Sequence, residues 1–267
     1  MNTSLKLPVV LAFAGSDPTG GAGIQADIEA IASMGCHAAP IITAVTVQDT
    51  TNVMGFVPQE AELVMEQARA VLEDIPIACI KIGFTGSVEI IQAIHVLLTD
   101  YPQIPVVIDP IIDAGGGKAL ANGAMVLAMN TLLVPLCHVI TPNTHEVRML
   151  APQADTLDAA AMAILEQGTD YVLITGTHNH STDVTNVFYG NQRALDRFTW
   201  KRLEGSYHGS GCTLASALSA LLARGHEPLT AVRKAQEYTW KSLEQGYRIG
   251  MGQYMPNRFF WAVRDIE

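Results

Sequence analysis

Tyr207-His-Gly-Ser-Gly-Cys-Thr-Leu-Ala215 sets Gly209 and Gly211 around Ser210 at the start of a helix-forming run, with Cys212 in its first turn. Successive backbone N–H groups at such a start point at one spot, and the helix dipole adds roughly half a positive charge there. This geometry suits the oxygens of a phosphoryl group in flight. A thiol in the first turn is expected to fall from a pKa of about 8.5 toward neutrality, an effect that a nearby triphosphate opposes. The same residues also fit a Gly-led helix cap over a buried Cys.

A second segment, Ala14-Gly-Ser-Asp-Pro-Thr-Gly-Gly-Ala-Gly-Ile-Gln-Ala-Asp27, runs a strand into four glycines that open a helix. Glycines let a ligand come close to the backbone. Gly21-x-Gly23-x-x-Ala26 fits a relaxed dinucleotide fingerprint, but the acidic residue required about 20 residues on comes late, at Gln48-Asp49. No Lys-Ser/Thr follows the glycines, so the Walker A pattern is excluded. A strand–helix turn with no ligand is the plain alternative.

The third segment is Thr141-Pro-Asn-Thr-His-Glu146. Pro142 stops a strand and Asn143 caps the helix after it. Asn143 and Glu146 reach one side of that helix's first turn, where an amide and a carboxylate can organise hydrated Mg²⁺. The pattern is equally a capping box. Asp109, ending a strand before Pro110, puts a second carboxylate at the same sheet edge. His178-x-His180 has no third metal ligand nearby and reads as a solvated loop. Lys81 and Lys118 are within the range of residues that meet phosphate, and Lys118 follows Gly115-Gly-Gly117, a segment suited to a lid. An exposed lysine is the simpler reading of each. Phe198, Trp200, Tyr238 and Trp240 read as packing residues rather than a base-stacking platform.

These segments need elements to hold them. Pro8–Ala14 reads as a buried strand, Ile24–Met34 as a helix, His37–Val47 as β-rich and Gln59–Ile75 as an amphipathic helix. Ile77–Ile82, Pro105–Asp109, His138–Pro142 and Tyr171–Thr175 read as strands, and Val88–Thr99 as a helix. Val184–Tyr189 and Ala194–Trp200 fit an antiparallel pair with Gly190-Asn191 at the turn, and helices over 211–224 and 227–246 close the chain. Such alternation predicts a mostly parallel sheet covered on both faces, with ligands beyond the carboxyl ends of its strands. With no linker, low-complexity stretch or repeat, residues 1–267 are expected to form a single domain.

The chain has 267 residues, is 49% apolar and only 16% charged, and carries a net charge of −10. The acidity disfavours nucleic-acid binding, which needs a basic face. The four cysteines, Cys36, Cys79, Cys137 and Cys212, form no C-x-x-C pair, so reduced thiols are expected. The apolar run from Pro8 to Ala14 is too short for a signal peptide or a membrane span, which predicts a soluble cytoplasmic protein.

From about Val9 to Trp240 the chain resembles the hydroxymethylpyrimidine/phosphomethylpyrimidine kinase family of the ribokinase-like superfamily. The resemblance rests on Gly15-Ser-Asp-x-x-Gly-Gly-Ala-Gly-Ile-Gln-Ala-Asp27, Thr43-Ala-Val-Thr-Val-Gln48, Lys81-Ile-Gly83 with Gly86-Ser87, Asp109-Pro110, Thr141-Pro-Asn-x-x-Glu146 and His208-Gly-Ser-Gly-Cys-Thr213. It implies a three-layer α/β fold with a mostly parallel central sheet, use of ATP and Mg²⁺, and a homodimer. It implies γ-phosphoryl transfer to the 5-hydroxymethyl of 4-amino-5-hydroxymethyl-2-methylpyrimidine and then to the monophosphate. On this resemblance Asp27, Gln48, Gly15 and Gly23 face the pyrimidine, and Asn143, Thr175 and Gly176 face ATP. Asp109 and Glu146 organise the metal, Gly209, Ser210 and Gly211 form an anion hole, and Cys212 stands where sugar-kinase relatives carry an Asp base. One departure concerns Thr175, where family members often carry lysine, so a phosphate-neutralising charge is missing or comes from elsewhere. Three rivals fit part of the pattern: a pyridoxal or pyridoxine kinase on the same fold, a nicotinamide-dependent oxidoreductase built on Gly21-x-Gly23, and a non-catalytic protein that senses the pyrimidine.

Overall fold

The computed structural model describes residues 7–113, 120–176 and 182–262. Its chain order is β1 (Val9–Ser16), α1 (Gly23–Ser33), β2 (His37–Gln48), β3 (Val53–Pro58), α2 (Ala61–Asp74), β4 (Ile77–Ile82), α3 (Val88–Asp100) and β5 (Val106–Ile108). Then follow α4 (Gly123–Ala128), running on into a π-helical turn (Met129–Leu133), β6 (Val139–Ile140), α5 (Glu146–Leu150) and α6 (Leu157–Glu166). The chain closes with β7 (Tyr171–Ile174), β8 (Asp183–Gly190), β9 (Arg193–Lys201), α7 (Ser210–Ala223) and α8 (Pro228–Glu244).

The strands form one sheet in the order β3-β2-β1-β4-β5-β6-β7-β8-β9. The six from β2 through β7 pair in parallel, while β3 and the β8–β9 hairpin are antiparallel edges. β1 is buried on both faces, which is why it reads as one continuous apolar run. Its side chains alternate between two cores. Val9, Leu11 and Phe13 pack with α2 to α6, and Val10, Ala12 and Ala14 pack with α1, α7 and α8.

Three expectations shift. The hairpin turn sits at Asn191-Gln192, both with positive φ, rather than at Gly190-Asn191. β5 and β6 stop short of the predicted ends, so Asp109 and Thr141 lie just past their strands. The far half of β2, Ala44–Gln48, pairs with β3 as a flap. That strand escapes the sequence pattern because Gly55 and Pro58 interrupt it. No helix among the described residues is long and apolar enough to cross a membrane, and all four cysteines are free and buried.

Candidate active site

The carboxyl ends of the parallel strands open into a cavity of about 550 Å³. Its wall includes Gly15 near the end of β1, Gln48 at the end of β2, Asp109 after β5, Asn143 and Glu146 after β6, Thr175 after β7, and Gly23 and Gly209–Cys212 at two helix starts. Residues from separate strands and helices thus meet at one place, where an open α/β sheet puts its ligands. Gly176 is not on the wall; its N–H donates to Asn186 Oδ1 at 2.9 Å.

Two helix N-termini converge there. Gly209 caps α7 with φ 72°, and a side chain on it would collide with the Gly21 carbonyl. The first intrahelical bond runs from Thr213 N–H to Gly209 C=O at 2.9 Å, so the amides of Ser210, Gly211 and Cys212 precede the helical ladder. α1 begins at Gly23 with φ 59°, close under the Gly15 carbonyl, and its N–H donates to the Cys212 sulfur. Neither glycine has room or backbone freedom for a substituent.

The thiol of Cys212 departs from the expectation of a lowered pKa. Burial pushes it up, the Asp109 carboxylate adds to the rise, and Lys81 only partly opposes them. The helix dipole loses because the sulfur is removed from water and faces a carboxylate, to which the thiol donates. At neutral pH Cys212 is a thiol.

Asp27 does not face the cavity. It is 0% exposed and paired with the equally buried Lys81, Nζ to Oδ1 at 2.9 Å and to Oδ2 at 3.0 Å. Ser216 of α7 donates to it at 2.6 Å. Burial pulls the Lys81 ammonium down, but the Asp27 carboxylate, with Asp109 behind it, holds it above the usual lysine value. Lys81 is therefore neither exposed nor in reach of phosphate: the pair ties β4 to α1 and α7 beneath the thiol.

Asn143 and Glu146 form the capping box in full. Asn143 Oδ1 accepts from the amides of His145 and Glu146 at 2.8 and 2.9 Å, and Glu146 Oε2 accepts from the Asn143 amide at 2.8 Å. Burial raises the Glu146 carboxyl to about 8, with Asp109 and Asp113 adding to the rise. Burial also raises Asp109, and its Oδ2 is buried without a hydrogen-bond partner. Two mutually repelling carboxyls and an orphaned oxygen fit a divalent cation. No cluster of three or more acidic, His or Cys ligands occurs among the described residues. Mg²⁺ does not need one, since it takes one or two carboxylates and completes its shell with water and phosphate.

Sequence reasoning missed several contributors. Asp17 and His208 form a buried pair, Oδ2 to Nε2 at 2.9 Å, that locks the glycine loop to the approach of α7. Burial pushes the Asp17 carboxyl up, but the His208 ring and Thr19 hold it below the usual range. Both residues lie inside quoted motifs, yet only the fold brings them together across 191 positions. Trp200 and Trp240 stack with centroids 6.3 Å apart on the cavity wall, whereas Phe198 and Tyr238 are buried packing residues. Lys201 and Arg202 bring cations to the same cavity wall. Gly115–Gly117, Lys118, His178 and His180 lie outside the described residues. The dinucleotide reading of Gly21-x-Gly23 fails locally: Arg258 takes the Gly21 carbonyl, Asp17 takes the Ala22 amide, and Asp49 closes its own turn onto Thr51 and Asn52.

Residues 17–257 match the phosphomethylpyrimidine kinase family model. The chain is 36% identical to the hydroxymethylpyrimidine/phosphomethylpyrimidine kinase of Streptomyces coelicolor, covering 97% of this chain and 96% of that one. It superposes on the phosphomethylpyrimidine kinase of Clostridium difficile with a TM-score of 0.75 at 31% identity, over 88% of this chain and 98% of that one. It superposes on an ADP complex of Bacillus subtilis pyridoxal kinase with a TM-score of 0.88 at 26% identity, over 97% of this chain and all of that one. The fold is the ribokinase-like one. Paired helix starts beside a thiol, a carboxylate pair at the sheet edge and a full-length match place the chain in the phosphomethylpyrimidine kinase family of phosphotransferases.

Proposed function

We propose that the protein transfers the γ-phosphoryl of ATP to the 5-hydroxymethyl of 4-amino-5-hydroxymethyl-2-methylpyrimidine, and then phosphorylates the monophosphate, as a step toward thiamine. The observation that carries this reading is the convergence of the α1 and α7 N-termini on Cys212 and Asp109 at the cavity floor. The amides of Ser210, Gly211 and Cys212 hold the equatorial oxygens of the moving phosphoryl. Gln48 faces the aminopyrimidine, its amide nitrogen already oriented by a 2.8 Å bond to Thr46 Oγ1, with Gly15 and Gly23 on the same cavity wall. An amide supplies both a donor and an acceptor to an aminopyrimidine edge.

Asn143 and Thr175 bound the nucleotide side, with Gly176 behind the wall, and Lys201 and Arg202 supply cations to the cavity in place of a lysine at Thr175. When bound through Asp109 and Glu146, Mg²⁺ neutralises charge on the phosphates. The substrate proton leaves late in a loose transition state. Cys212 is protonated at rest because it is buried and because it faces the Asp109 carboxylate; with that carboxylate taken up by the metal, the thiol would release its proton to solvent, and its sulfur then takes the hydroxyl proton.

One continuous sheet through the described residues supports a single kinase domain. Exposed Val45, Val47, Met54 and Val57 on the flap support a homodimer, which sedimentation checks. The functional test is incubation with the pyrimidine and Mg·ATP, with pyridoxal as a competing arm and products identified by mass. Phosphorylated pyrimidine is the expected product. Phosphopyridoxal alone, or tight binding without any product, sinks the reading.

A further inference from the structure

Arg258 lies one residue beyond the segment that the family model matches, and it is only 2% exposed. Its Nε donates to Thr213 Oγ1 at 2.9 Å. Its two terminal nitrogens donate to the Gly20 carbonyl at 3.2 Å, to the Gly21 carbonyl, and to Glu29 Oε2 at 3.0 Å. The backbone is pinned as well: the Tyr238 hydroxyl donates to the Arg258 carbonyl at 2.7 Å, and the Asn257 amide to the Ser242 carbonyl at 2.8 Å.

This placement is costly as a purely structural device. The guanidinium touches the carbonyls just ahead of α1 and a hydroxyl in the first turn of α7, so it sits at two positive helix ends that favour anions. Its only carboxylate partner, among the described residues, is Glu29, whose side chain is 42% exposed. A cation buried at such a place is opposed by both dipoles, which the two carbonyls and the half-exposed Glu29 carboxylate must offset.

The hydrogen-bond directions give it a use. Arginine has no acceptor, so the Thr213 oxygen must accept from it. The Thr213 proton is then committed to the Gly209 carbonyl, 2.8 Å away, which also receives the Thr213 amide at 2.9 Å. The other end of that peptide unit is the N–H of Ser210, a residue that lines the cavity. Donors on a peptide carbonyl orient the unit and strengthen its N–H as a donor, because hydrogen bonds in a chain polarise one another.

We infer that Arg258 is a positioning residue for phosphoryl transfer, acting through Thr213 and the Gly209 carbonyl to aim and polarise the Ser210 amide. The inference rests on the reading of residues 209–212 as the phosphoryl cradle.

The test compares wild type with T213V, T213S, R258M, the T213V/R258M double variant and G209A. For each, kcat and both KM values are measured, with the melting temperature and the affinity for Mg·ADP–aluminium fluoride against that for ATP. T213V keeps the shape of the side chain and leaves Arg258 its bonds to Gly20, Gly21 and Glu29, so it carries the test even where R258M does not fold. We expect T213V to lower kcat about tenfold, less than the loss of a whole anion-hole donor. Both KM values stay within about threefold, and fluoride-complex affinity falls with kcat while ATP affinity does not. T213S, which keeps the hydroxyl, recovers most of that loss, and the double variant is no worse than the poorer single one. A T213V enzyme with kcat within about twofold of wild type, or one altered only in melting temperature or KM, overturns the inference. G209A separates the two levels. If it keeps its melting temperature and ATP affinity but loses turnover while T213V does not, the cradle stands and Arg258 is only structural. If it turns over like wild type, the cradle itself is wrong.

Discussion

The two ends of the cavity are built differently. At the phosphate end, Gly23 and Gly209 sit where a side chain would collide with backbone, and Asp17, His208, Lys81, Asp27 and Arg258 are buried and partnered. At the pyrimidine end, Gln48 stands on a flap whose other residues include exposed Val45, Val47, Met54 and Val57. The flap is held by an antiparallel ladder and a short chain of bonds, Gln48 to Thr46 to the Ser16 carbonyl. Chemistry that depends on aiming amides at a charge in motion sits where the backbone has one conformation. Recognition of a flat ring sits where the wall can adjust. Substitutions at the first end should cost turnover or the fold, and at the second, affinity.

The largest effect expected is from Cys212→Ala. It should fold as wild type, because the sulfur is replaced by a smaller apolar group, and lose about 10²–10⁴-fold in kcat in steady-state assays. Wild-type turnover would remove the thiol from the mechanism. Next, Lys81→Met strands Asp27 as a buried, unpaired carboxylate and should cost about 3–5 kcal/mol in denaturant unfolding. A loss confined to pyrimidine affinity would instead return Asp27 to the ligand site. Gln48→Ala should raise KM for the pyrimidine about tenfold, since a hydrogen bond or two is worth about 0.5–1.5 kcal/mol each, and leave KM for ATP alone. An equal change in both would erase the contrast between the two ends.

The smallest effect is in pH dependence. Glu146 has its folded pKa raised to about 8, so the folded chain holds this proton more tightly than the unfolded one. That contribution to stability is fully present below about pH 4 and is lost as pH rises through about 8. Glu146→Gln keeps an acceptor for the Asn143 amide and escapes the loss. Its melting temperature should exceed that of wild type at pH 9 without Mg²⁺, by a margin that closes on acidification. Mg²⁺ at pH 9 should narrow the margin by stabilising wild type. A margin independent of pH would contradict the burial and repulsion assigned to this carboxyl.

The sheet was legible because its central strands are buried on both faces and carry unbroken apolar runs, as in Val9–Ala14. The positions of Gly209, Ser210, Gly211, Gly23 and Gln48 were legible because each depends on a local turn or on the end of one strand. What stayed hidden depends on distant partners. The orientation of Asp27 is set by Lys81, 54 positions away. The state of Cys212 is set by burial and by Asp109, which outweigh the local dipole. Arg258 reaches Thr213 across 45 positions and the glycine loop across more than 230. No short motif announces a residue whose meaning lies in carbonyls that far off. Glu146 shows a third case, in which one local pattern serves both a cap and a carboxylate at the cavity, and the sequence had no means to separate them.

The most direct test is a crystal structure of the protein with the pyrimidine, ADP, Mg²⁺ and aluminium fluoride. Fluoride ligands are expected about 2.7–3.1 Å from the amide nitrogens of Ser210, Gly211 and Cys212, with the hydroxymethyl oxygen in line and beside the Cys212 sulfur. A fluoride complex bound away from the start of α7, or with these three amides turned from it, would contradict the account.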